Sequence, residues 1–153
     1  MRGLVTALRT LTAVPVWGRD ADSFASAIPF FPVVGALVGA ATAAFGWGVL
    51  RATGDWTLGA AAVMVLVEVL LTGAIHLDGL ADVADSFGAL GNREKALAIM
   101  KDSRAGSFGV VALGCALLLK FAAYGRLVAE PRMWVFVIAA FALAMSSCRV
   151  KVP

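Results

Sequence analysis

The segment from His76 to Asp85, HLDGLADVAD, holds three carboxylates, Asp78, Asp82 and Asp85, at spacings of four and three residues. On an α-helix those offsets fall on one face. Three like charges on one face repel, so the arrangement calls for a cation among them. A hard divalent ion such as Mg²⁺, which prefers oxygen ligands, is the simplest candidate, with Asp78, Asp82 and Asp85 as its ligands. One or two carboxylates plus substrate phosphates is its usual arrangement, and the ion then neutralises charge in a phosphoryl-type displacement. His76 is the only histidine, the residue type most used for proton transfer. It is read either as a general base or as a polar residue that orients an aspartate. A second polar group follows at Lys101, Asp102, Ser103 and Arg104. Arg104 suits bidentate phosphate contact and Lys101 a point-charge contact. Gly106 and Gly109 would let the backbone approach a substrate closely. The alternative for this basic pair is a membrane-surface anchor.

Both groups border long apolar blocks. Of 153 residues, 61% are hydrophobic and 15% charged, and the mean hydropathy is +0.89. Soluble domains have about 45–50% apolar and about 25% charged residues. The excess sits in uncharged runs, which predicts an all-α, polytopic integral membrane bundle with the bilayer as its partner. A formal net charge of +3 gives no sign of nucleic-acid binding. Cys115 and Cys148 lack metal-site spacing and read as small buried hydrophobes.

In chain order, residues 2–14 carry Leu4, Leu8 and Leu11 at helical spacing and predict an amphipathic interfacial helix rather than a signal peptide. Spans are expected at about 27–50, 57–75, 106–128 and 133–148, within one membrane domain over 1–153. Gly35 and Gly39 form a G-x-x-x-G pair, which lets another backbone come close, and a homo-oligomer stays open. Glu68 is an acid at membrane depth, where such groups face protein or a cavity. It lies two to three turns before His76, which favours a bond to a neighbouring helix over a part in the site. Lys120 either snorkels or pairs with Glu68. Asn92 caps a predicted cytoplasmic helix from Arg93 to about Lys101. Asp102 at that helix's C-terminus opposes the macrodipole, which marks it as a candidate for function.

With the N-terminus in the cytoplasm, that side holds nine basic residues: Arg2, Arg9, Arg19, Arg93, Lys95, Lys101, Arg104, Arg149 and Lys151. The opposite side holds three, Arg51, Arg126 and Arg132. This asymmetry predicts a multi-pass protein with its aspartates facing the cytoplasm.

LLTGAIHLDGLADVADSF, followed by IMKDSRAGSFGVVAL, resembles cobalamin synthase, the adenosylcobinamide-GDP ribazoletransferase family. LTAVPV and FFPVVGALVGA fit the same pattern. The resemblance implies a Mg²⁺-dependent membrane enzyme of the last steps of vitamin B12 assembly. Its substrates would be adenosylcobinamide-GDP and α-ribazole or α-ribazole 5′-phosphate, and GMP would leave. The family's acidic motif maps onto Asp78, Asp82 and Asp85, and its second motif onto Lys101, Asp102, Ser103, Arg104 and Gly106. Family members run longer than this chain, which would then be the N-terminal part of the fold. Two other readings compete. A CDP-alcohol phosphotransferase shares the Asp-Gly step, but Leu80-Ala81-Asp82 follows here with no arginine. A cation-transporter subunit would place its acids deep within spans, where only Glu68 lies.

Overall fold

The computed structural model describes residues 2–89, 91–100, 104–130 and 132–147. Among the described residues, seven α-helices run in the order α1 (Arg2–Leu11), α2 (Phe31–Thr53), α3 (Thr57–Thr72), α4 (Ile75–Ser86), α5 (Arg93–Ile99), α6 (Ser107–Leu127) and α7 (Met133–Ser146). No strand occurs among the described residues. Short 3₁₀ turns at Phe24–Ser26 and Ile28–Phe30 lead into α2, with Pro29 in the second turn and Pro32 in the first turn of α2.

Two apolar stretches are long enough to cross a bilayer, Phe24–Thr53 and Ser107–Leu127. A third is obtained if α3 and the segment Ile75–Ala89 count as one broken span, bent by 88°. The expected four spans therefore appear as four apolar helices, but not as four of full crossing length. With 16 residues, α3 covers about 24 Å, against roughly 30 Å of hydrocarbon. The shortest, α7, has 14 residues.

The bend between α3 and α4 has a local cause. Gly73 (φ 60°) and Ala74 (φ 59°) are both left-handed. Their amides turn back to the carbonyls of Leu70 and Val69, closing the end of α3. Glycine adopts this conformation freely, whereas an alanine gives up about 1–2 kcal/mol.

Two apolar clusters hold the bundle. At one end Ala7 and Leu11 of α1 meet Phe31, Val34 and Val38 of α2 and Met145 of α7. At the other, Ala43, Ala60, Ala61 and Met64 meet Tyr124, Val128, Met133 and Val137. Gly35 and Gly39 lie against α7. A Cβ on Gly35 would come 2.5 Å from the Phe141 carbonyl oxygen, and one on Gly39 2.9 Å from the Ile138 Cα. The G-x-x-x-G pair thus serves a contact inside the chain, the close approach that small residues allow between membrane helices.

Glu68 is buried. It accepts bonds from the Lys120 ammonium and, at 2.8 Å, from the Tyr124 hydroxyl. The acid in α3 is therefore tied to two residues of α6, which resolves the alternatives for Lys120 in favour of pairing. Cys115 departs from its expected burial and is exposed. Cys148 lies outside the described residues.

Both the amphipathic helix and the aspartate helix lie at one end of the bundle. The Ala13 amide donates to the Leu71 carbonyl at 2.8 Å, next to the bend that opens α4. Arg9 closes the loop after α1 by donating to the carbonyls of Val16 and Gly18 and to Asp20. The far end carries Trp47, Trp56 and Trp134, each more than half exposed, with Arg51 stacked 5.0 Å over Trp47. Such a girdle is typical of a membrane interface.

Candidate functional site

Asp78, Asp82 and Asp85 all lie in α4, so helical periodicity sets them within about 60° of one another. Asp78 is exposed, and Asp82 and Asp85 are half-buried. Beneath them Ala81 and Ala84 are buried, and these small side chains let α4 settle close to the start of α6.

Asp85 reaches α6. Its Oδ2 accepts the Gly106 amide at 2.7 Å and its Oδ1 the Gly109 amide at 2.8 Å. A Cβ on either glycine would collide with this carboxylate. The two glycines do permit a close approach, but the approaching group is Asp85 itself rather than a substrate.

Arg104 stands two residues before Gly106. It lines a cavity of about 460 Å³ together with Asp85, Gly106, Ser107, Phe108 and Ile99 of α5. Asp85, the last aspartate of the acidic motif, and Arg104 of the basic motif therefore share one opening, whose lining does not include Asp78 or Asp82. Ile99 and Phe108 give it apolar walls, a contribution that no sequence signal marked. Lys101, Asp102 and Ser103 lie outside the described residues. Asn92 caps α5 as expected, accepting the Lys95 amide at 3.0 Å.

His76 is in the first turn of the same helix and is exposed. It stands about 120–180° around α4 from the three aspartates, so the helix does not bring it to their face. Loss of a general base costs about 10²–10⁴-fold, whereas an exposed substitution away from a site changes little, on the order of twofold. His76→Ala is expected to keep turnover within about twofold of the parent in a product-release assay.

Among the described residues, no three His, Cys, Asp or Glu side chains form a group able to hold a metal ion. The expected three-aspartate set is not preassembled, because both Asp85 oxygens are directed at amides. Asp78 and Asp82 lie one turn apart, and their carboxylates have no hydrogen-bond or ion-pair partner among the described residues. They offer the one or two carboxylates that Mg²⁺ takes when phosphate oxygens and water complete its shell.

The family model for cobalamin-5-phosphate synthase matches residues 3–151. The chain belongs to the cobalamin-5-phosphate synthase family. It is 49% identical over 125 residues to an adenosylcobinamide-GDP ribazoletransferase of Chlorobium chlorochromatii, covering 82% of this chain and 49% of that protein. It is 46% identical over 127 residues to one of Chlorobium phaeovibrioides, covering 83% and 50%. Against one of Albidiferax ferrireducens the identity is 48% over 132 residues, covering 80% and 47%. The chain thus spans about half the length of the curated relatives it matches. No solved structure matches it. Within this family frame, the cavity between α4 and the start of α6 is the candidate active site.

Proposed function

We propose that this chain carries the diphosphate-binding half of an adenosylcobinamide-GDP ribazoletransferase. One observation carries the reading. In a member of this family, the carboxylate helix and Arg104 meet around a single cavity at the end of an apolar bundle.

The substrates are adenosylcobinamide-GDP and α-ribazole or its 5′-phosphate. A ribazole hydroxyl oxygen bonds to the phosphorus nearer the cobinamide, and the bond from that phosphorus to the GMP oxygen breaks. The hydroxyl proton passes to Asp78 or Asp82, since both Asp85 oxygens accept amides, in keeping with the position of His76 on the other side of that helix. Arg104 sets its guanidinium against phosphate oxygens, with Lys101 as a second cation. Asp78 and Asp82 are the residues that would hold Mg²⁺, whose chemistry here is to neutralise diphosphate charge. The product is adenosylcobalamin or its 5′-phosphate.

The bend at Gly73–Ala74 supports a surface location. If α3 crosses the bilayer, α4 lies along its face. The positive-inside asymmetry supports a cytoplasmic face for it, and the proposed location is a bacterial inner membrane. Of the three far-side basic residues, Arg51 and Arg126 end α2 and α6, and Arg132 caps α7, in keeping with this orientation.

The test is a GMP-release assay on the full-length protein in lipid, with adenosylcobinamide-GDP and α-ribazole. Release that needs both substrates and added Mg²⁺ is expected. Release without α-ribazole, or none under any condition, would overturn the reading.

A further inference from the structure

We infer that Asp85 is a positioning residue: it caps α6 from a neighbouring helix and so fixes the spacing between the aspartates of α4 and Arg104. Its catalytic consequence rests on the proposed function, whereas its structural content rests on contacts alone.

The first amides of any α-helix lack carbonyl partners within the helix. In α6 the N-cap is Gly106, which has no side chain to offer. Asp85 supplies what is missing, with one carboxylate oxygen on the Gly106 amide and the other on the Gly109 amide. Both bonds are charge-assisted, and an anion at this end of a 21-residue helix also meets the positive pole of its dipole. The fit depends on the glycines. A Cβ on Gly109 would lie 3.0 Å from the Asp85 Cγ and 3.1 Å from the Ala81 carbonyl oxygen.

Three features of α4 and α6 are thus a single device: a carboxylate, two glycines that admit it and two alanines beneath it. In sequence one residue, Ala105, separates Arg104 from Gly106. Where the capped end of α6 sits therefore sets where the Arg104 backbone stands relative to Asp78 and Asp82. A carboxylate aimed at two amides serves poorly as a metal ligand. This separates Asp85 from its two neighbours, which the spacing alone treats as equivalent.

Asparagine at position 85 tests the device. It keeps one acceptor, but turns an NH₂ donor toward the second amide. In the full-length protein, the parent should protect the Gly106 and Gly109 amides from hydrogen exchange. Asp85→Asn should speed their exchange by about 10- to 100-fold. Binding of Mn²⁺, an EPR-visible stand-in for Mg²⁺, should stay within about twofold of the parent in Asp85→Asn, and fall in Asp82→Asn by about tenfold or more. Turnover should drop with a raised KM for adenosylcobinamide-GDP, and added Mg²⁺ should not restore it. Gly109→Ala, which alters no carboxylate, should reproduce that kinetic pattern. If Asp85→Asn misfolds, Gly109→Ala and amide exchange in the parent still decide the matter.

The inference is overturned if the two parent amides exchange like unprotected ones. It is also overturned if Asp85→Asn loses Mn²⁺ as Asp82→Asn does. Failure of the parent to release GMP would instead count against the proposed function, and would leave the exchange result standing.

Discussion

Replacing Asp82 with asparagine is expected to lower GMP release by about 10²–10³-fold without disturbing the fold or membrane insertion. The size follows from the role. A group that stabilises charge in the transition state typically costs that much when removed, and a fixed carboxylate near a diphosphate acts through such charge. The lack of structural effect follows from the surroundings. Asp82 is half-buried and has no hydrogen-bond partner among the described residues, so the isosteric amide strands nothing. Turnover measured beside a thermal unfolding curve in the same detergent separates the two effects. Near-parental activity would remove Asp82 from the site. A lowered unfolding temperature would make it a structural residue instead.

The second large effect concerns stability. Glu68→Leu is expected to destabilise the bundle by about 2–3 kcal/mol. The change leaves the Lys120 ammonium and the Tyr124 hydroxyl without the acceptor they share. Interhelical hydrogen bonds in membranes are worth only about 0.6–2 kcal/mol each, so much of the expected loss comes from the stranded charge. Breaking a buried pair from one side costs about 3–5 kcal/mol. The lower figure applies because the Lys120 side chain is 37% exposed and can extend toward the interface. The companion result identifies the cause. Glu68→Leu combined with Lys120→Leu should recover most of the loss, and adding Tyr124→Phe the remainder. Unfolding by SDS titration in bicelles measures all three. A double variant as unstable as the single one would show that the carboxylate matters for something other than its partners.

The periodicity of the sequence was enough to reveal the helices, because apolar blocks and a four-three spacing of aspartates are local signals. The Asn92 cap is equally local. Pairings between distant segments were not legible. Glu68 and Lys120 lie 52 residues apart, and each had another plausible fate in a membrane. The Gly35–Gly39 pair announced a close approach but not its partner, since helices of this kind and second copies look alike to a glycine. Asp85 matched its neighbours in type and spacing, and only the position of α6 sets it apart. The bend is illegible in the sequence for a different reason. Gly73 is ordinary at a helix end, but nothing about Ala74 foretells a left-handed backbone. The local bond from its amide to the Val69 carbonyl accompanies a conformation that alanine disfavours.

The right angle at Gly73–Ala74 also has a mechanical meaning. Two rigid rods joined at such a corner form a crank: a slide of α3 along its own axis reaches Asp78 and Asp82 as a sideways stroke. Any change in bilayer thickness that shifts α3 would thereby be felt at the two aspartates of the proposed diphosphate site, and the two bonds from α6 to Asp85 would oppose the travel.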